Sequence, residues 1–281
     1  MNHLSRRKIK NAAALGLAAL CAALGLSLLF IILFDVLRNG INAINLRLFL
    51  ENPAPPTIVG AGGLKNAFLG QGLLTLTALL FGVPVGILGG TFLAEYGRNL
   101  KISRLISTLS DMAVSIPSIV IGAFVYAMLV KPYGQFNGWA GAAALAIILV
   151  PIVIRTTEDM MTLVPWTLRE AAFALGAPYY KVIWTVVYRS AAGGIFTGIL
   201  LGVARIAGET APLLFTSFNS NFFRLNMSAP VPSLTVSIFQ YAASPYESWI
   251  SQAWAAAFVV TCFVLLLNIL GRVMIRLRVK G

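Results

Sequence analysis

The chain has 281 residues, of which 58% are hydrophobic and only 11% charged, and its mean hydropathy is +0.85. A soluble domain carries about 25% charged residues, so this composition excludes a water-soluble globular protein. The formal net charge of +12 is spread loop by loop, which reads as membrane orientation and not as a nucleic-acid surface.

In chain order, uncharged apolar runs cover 12–34, 70–94, 112–130, 138–154 and 250–271. A sixth, about 190–218, is interrupted only by Arg205 and Glu209. Crossing a hydrocarbon core takes roughly 20 helical residues. The expectation is an all-α integral membrane protein with six transmembrane helices. Its organisation reads as a basic tail over 1–11, a first transmembrane helix over 12–35, an outside loop over 36–69 and a five-helix core over 70–275. That core contains an inside loop over 157–188, and a basic tail follows over 276–281.

With the N-terminus inside, fifteen of the 21 basic residues fall in inside segments. They are Arg6, Arg7, Lys8 and Lys10; Arg98, Lys101 and Arg104; Arg155, Arg169, Lys181 and Arg189; and Arg272, Arg276, Arg278 and Lys280. Only Arg38, Arg47, Lys65, Lys131 and Arg224 lie outside. This asymmetry predicts that both termini are cytoplasmic. The first apolar run is longer than the roughly 7–15 residues of a signal-peptide core, so it reads as a retained span.

The outside loop contains Pro53-Ala-Pro-Pro56 and Gly60-Ala-Gly-Gly63, a turn-rich connection. In the second span Gly82, Gly86 and Gly90 stand four apart, a small-residue face that admits close approach of another helix, and Pro84 should kink it. Pro117 should break regularity near the inside end of the third span. In the inside loop, Thr167 and Glu170 have capping-box spacing, which predicts a helix start at Leu168. Gly176 suits the position after a helix end and Pro178 the start of the next helix. The loop is therefore expected to form two short helices with a bend. Its apolar face (Leu168, Ala171, Ala172, Leu175) reads as a docking surface or as a helix lying on lipid.

The chemical inventory is sparse. His3 is the sole histidine, no GxxxxGK[ST] loop occurs, and Cys21 and Cys262 both lie within apolar spans. Metal clusters, a serine–histidine triad and ATP hydrolysis by this chain are thus not expected. On a helical wheel of about 100° per residue, Gly194, Gly198, Gly202, Arg205 and Glu209 all fall within about 80° of one another. Arg205 and Glu209 should therefore face protein or a cavity. Each charge costs about 2.5–3.5 kcal/mol at mid-membrane. Pairing at (i, i+4) explains how they are tolerated and not why they are present. Two readings stand: a structural ion pair that fixes register, or a cation on an anion pathway held and neutralised by Glu209. Arginine suits oxyanions through its planar, permanently charged fork.

Glu170-Ala-Ala172 followed after three residues by Gly176 resembles the EAA loop of ABC-importer permeases. The usual end of that motif is absent, since Val186, Tyr188 and Arg189 occupy the corresponding positions. A narrower resemblance, to the phosphate-specific ABC permeases of A type, rests on four strings. They are Leu93-Ala-Glu-Tyr96, Ile116-Pro-Ser-Ile-Val-Ile-Gly122, Arg169-Glu-Ala-Ala172 with Ala174-Leu-Gly176, and Arg205-Ile-Ala-Gly-Glu-Thr-Ala-Pro-Leu-Leu214. The resemblance implies a six-helix type I importer permease that pairs with a homologous second permease. It further implies two ATPase subunits, which would hold ATP and magnesium, and a periplasmic phosphate-binding protein. No cofactor is expected in this chain itself. By the same resemblance Arg169, Glu170, Ala171, Ala172 and Gly176 couple to the ATPase, and Arg205 and Glu209 take part in phosphate passage. Sulfate, molybdate or phosphonate is the alternative cargo, because arginine recognises oxyanions generally.

Overall fold

The computed structural model describes residues 3–55, 62–97, 100–222 and 226–279. Pro56, Gly60, Ala61, Arg98, Arg224 and Lys280, named above, lie outside them. Among the described residues all regular structure is helical. In order the helices are α1 (His3–Ala43), α2 (Arg47–Leu50), α3 (Lys65–Thr91), α4 (Lys101–Ser115), α5 (Ser118–Val125), α6 (Lys131–Tyr133) and α7 (Gly138–Thr162). There follow α8 (Trp166–Ala174), α9 (Tyr179–Val182), α10 (Tyr188–Ala207), α11 (Ala211–Thr216), α12 (Leu234–Ala242) and α13 (Glu247–Val279). Three π segments continue these helices: Phe92–Tyr96 after α3, Tyr126–Val130 between α5 and α6, and Ile183–Val187 between α9 and α10.

Among the described residues five helical stretches are long and apolar enough to cross a membrane. The bent pair Lys101–Ser115 and Ser118–Tyr133 supplies a sixth when taken as one broken span. The bend there is 105°. Its cause is local: Ile116 precedes Pro117, and the proline ring pushes it from the helical region to φ −69°, ψ 130°. The third span is thus entered by a separate helix, α4, with an inverted face. Ser103 and Ser110 are buried while Ile102, Leu105, Leu109 and Met112 are exposed.

The core forms around α7. Ala140, Ala144, Leu145, Leu149 and Val153 on this helix are fully enclosed. Two glycine stripes let neighbours reach it. On α3, a Cβ at Gly86 would stand 2.5 Å from Val153 Cβ, and one at Gly82 3.2 Å from Leu149 Cδ2. On α10, Gly194 abuts Met160, a Cβ at Gly198 would stand 2.5 Å from Thr156 Cβ, and one at Gly202 2.6 Å from Leu149 Cδ1. Between apolar helices in lipid, such close backbone approach supplies the van der Waals attraction that hydrophobic burial cannot. Pro84 is accommodated within α3, which runs uninterrupted past it. The outermost helix, α1, packs along α13 through Gly40 and Phe258 and otherwise exposes its leucines.

Candidate functional site

The sixth apolar run does not form one helix. α10 ends at Ala207, and Gly208 through Thr210 separate it from α11. A proline within a helix lacks the N–H that would reach the carbonyl four residues back, and its ring clashes with that carbonyl. Pro212 therefore acts at Gly208, one turn upstream, and the break opens between Arg205 and Glu209. The last turn of α10 tightens instead: Gly208 N–H donates to Arg205 C=O at 3.2 Å and Glu209 N–H to Ile206 C=O at 3.3 Å. Arg205 Nε and Glu209 Oε1 stand 3.8 Å apart, a charge pair without a hydrogen bond. The Glu209 side chain is 15% exposed, whereas that of Arg205 is 46% exposed in the single chain.

Neighbouring helices hold the freed backbone. Thr235 Oγ1 of α12 donates to Glu209 C=O at 2.8 Å, and Gln71 Nε2 of α3 donates to Ala207 C=O at 3.4 Å. Gln71 Oε1 is buried and has no partner among the described residues. On the far side, Pro212 packs on Gly122 of α5, where an added Cβ would meet Pro212 Cα at 2.6 Å. Among the described residues the arrangement offers one arginine whose N–H groups make no hydrogen bond, one enclosed carboxylate and an unwound segment between two helix ends.

At the opposite end of α10 lies the bent inside loop. α8 starts at Trp166, two residues before the position expected, because Pro165 already supplies a suitable N-cap backbone (φ −57°, ψ 139°). Thr167 then lies inside the first turn and makes no capping bond. The helix closes in a Schellman motif: Gly176 N–H donates to Phe173 C=O at 2.9 Å and Ala177 N–H to Ala172 C=O at 3.2 Å. Gly176 takes φ +79°, which a side chain would resist. Glu170 and Ala171 are exposed, Ala172 is half-buried, and Leu168, Leu175, Tyr180 and Trp184 project outward.

Arg169, in contrast, is buried. Its Nη2 bonds Glu95 Oε1 at 2.7 Å and Met161 C=O at 3.0 Å, and its Nη1 bonds Val164 C=O at 2.5 Å. The Arg169 and Glu95 side chains are 6% and 2% exposed. Tyr179 OH lies 3.0 Å from Glu95 Oε2 and 3.1 Å from Glu95 C=O. A second ion pair ties α4 to α7, where Arg155 Nε meets Asp111 Oδ1 at 2.8 Å. Reading by residue type missed Glu95, Tyr179 and Asp111 as members of a site. The signal lay in Leu93-Ala-Glu-Tyr96, a carboxylate near the end of an apolar run, whose partner is far off in sequence.

A family model described as binding-protein-dependent transport system inner membrane component matches residues 82–280. The chain is 48% identical to the phosphate transport system permease protein PstA of Pasteurella multocida over 271 residues, covering 96% of each chain. It belongs to the PstA permeases. Similarity to PstA extends to Yersinia pestis, at 48% identity over 95% of this chain and 90% of the relative. A probable PstA of Methanocaldococcus jannaschii is 35% identical, with 92% of each chain covered. Among solved structures, an inward-facing conformation of the MetNI methionine ABC transporter superposes with a TM-score of 0.58 at 18% identity. It covers 75% of this chain and 92% of that one, and carries the fold alone. The chain is a multi-pass inner-membrane permease component of the PstA type, and not an enzyme.

Proposed function

We propose that this chain moves inorganic phosphate across the bacterial inner membrane into the cytoplasm, as the permease subunit of an ATP-driven importer, and that Arg205 and Glu209 line the path. The observation carrying the site assignment is the helix break that separates the pair. Arg205 is held 3.8 Å from its carboxylate with no hydrogen bond between them, so its N–H groups remain free for an oxyanion. Its half-exposure on the single chain leaves a face for a homologous second permease to close. A periplasmic phosphate-binding protein delivers the anion. Two ATPase subunits, which hold ATP and magnesium, dock on the elbow formed by α8 and α9, with Glu170, Ala171 and Leu175 presented outward. This orientation puts the elbow and both termini in the cytoplasm, in keeping with the basic inside loops. Only contacts that differ between inward-open and outward-open states can link hydrolysis to passage.

The test is radiolabelled phosphate uptake at low external phosphate in cells lacking this chain, resupplied with wild type or Arg205→Gln at matched membrane levels. Restoration by wild type alone supports the path. Equal restoration by both makes the pair a structural lock. If sulfate or molybdate uptake responds in place of phosphate, the cargo is another oxyanion.

A further inference from the structure

The elbow is joined covalently to α7 on one side and to α10 on the other, so both helices must follow it when it moves. α3 has no such connection, yet the elbow grips it. Both arms of the bend close on one carboxylate near the end of α3: Arg169 from α8 holds Glu95 Oε1, and Tyr179 from α9 holds Glu95 Oε2. The same guanidinium also takes carbonyls of Met161, in the last turn of α7, and of Val164 in the link. A flexible tether between two spans needs none of this buried, multiply bonded geometry. At the other end of α3, Gln71 donates to Ala207 C=O, the last residue of α10 before the break. Glu95 and Gln71 are about 36 Å apart at 1.5 Å per residue.

We infer that α3 is a transmission strut, with Glu95 as its input at the elbow and Gln71 as its output at the Arg205–Glu209 break. Both are positioning residues: neither touches nucleotide, and each acts by fixing another element. The inference rests on the phosphate-importer reading for its cargo and on nothing but geometry for its path. Local structure alone predicts a different behaviour at each end. Gln71→Leu removes a buried carbonyl oxygen that has no partner together with the long donor bond to Ala207 C=O, so the gain and the loss offset and the fold is expected to change little in stability. Glu95→Asp keeps the charge opposite Arg169 but is too short for both arms of the elbow to hold it.

The experiment uses the whole complex, purified with its partners and reconstituted in liposomes, and reads phosphate taken up per ATP hydrolysed. Glu95→Asp and Gln71→Leu are each expected to lower that ratio about three- to tenfold, the range set by one hydrogen bond, with complex yield preserved. The double variant is expected to be no worse than the more severe single one, because both cut the same strut. Sites this far apart are otherwise additive. Unchanged ratios, or a double loss equal to the product of the singles, overturn the inference. Tyr179→Phe, which removes only one hydroxyl, serves if Glu95→Asp assembles poorly, and is expected to lower the ratio in the same way. A readout independent of cargo completes the test: maleimide labelling of Thr210→Cys, with Cys21 and Cys262 replaced, with and without ATP and vanadate. The nucleotide-dependent change at position 210 is expected to vanish in both single variants. If it persists in them, the strut is refuted even where phosphate is not the cargo.

Discussion

Two ion pairs of equal formal charge give opposite predictions when their carboxylates are neutralised. Glu95→Gln leaves the Arg169 guanidinium buried opposite a neutral amide. Both side chains are enclosed and only 2.7 Å apart, and removing one partner of such a pair costs about 3–5 kcal/mol. Glu209→Gln disturbs a pair 3.8 Å apart whose arginine is 46% exposed, where the contribution is about 0.2–1 kcal/mol. At about 2 °C per kcal/mol for a chain of this size, Glu95→Gln should lower the melting temperature by about 6–10 °C and Glu209→Gln by about 2 °C or less. Uptake should rank the two differently: Glu209→Gln should lose transport while remaining folded. The assay is the midpoint of thermal loss of monodisperse protein in detergent, beside phosphate uptake per membrane-inserted copy. Equal melting shifts for the two variants, or an unshifted Glu95→Gln, would refute the assignment of structural weight to burial.

Gly198→Val should fail to accumulate in the membrane, because its Cβ already meets Thr156 Cβ at 2.5 Å; quantitative immunoblotting checks this. Leu175→Asp, at a side chain 89% exposed, should leave the melting temperature unchanged and abolish co-purification of the ATPase subunits. Gly176→Val forces a β-branched residue to φ +79° and should cost about 1–2 kcal/mol, seen as a lower melting temperature and faster protease cleavage at the bend.

Helix number and the bent loop were legible because they rest on local signals. Apolar runs of adequate length, Gly176 after a helix, and Pro117 after Ile116 each act within a few residues. The break at Gly208–Thr210 was not legible on the wheel, which assumes a continuous helix, whereas Pro212 acts on the carbonyl four residues before it. The glycine stripes could be read as packing faces, but not their common neighbour: α7 lies between 82–90 and 194–202 in space as well as in sequence. The Glu95 clasp was not legible, since Arg169 is 74 residues away and nothing in either local pattern names the other. Burial decides the contrast between Arg169 and its exposed neighbour Glu170, and burial depends on tertiary structure.

The π segments flanking the clasp have a consequence for insertion and deletion. A π turn holds one residue more than the α turn it replaces. Phe92–Tyr96 follows Thr91, and Ile183–Val187 precedes Tyr188. Thr91 Oγ1 and Tyr188 OH meet at 2.5 Å between them. Each segment therefore behaves as a one-residue insertion absorbed by its helix. Deleting a single residue from 183–187 would restore a regular helix at nearly the present angle, whereas a deletion just beyond it, within 188–207, would turn the elbow by about 100° relative to the end of α10. Arg169 and Tyr179 would then no longer converge on Glu95. Helix length along this stretch is consequently constrained to the residue, even where the side chains themselves face outward.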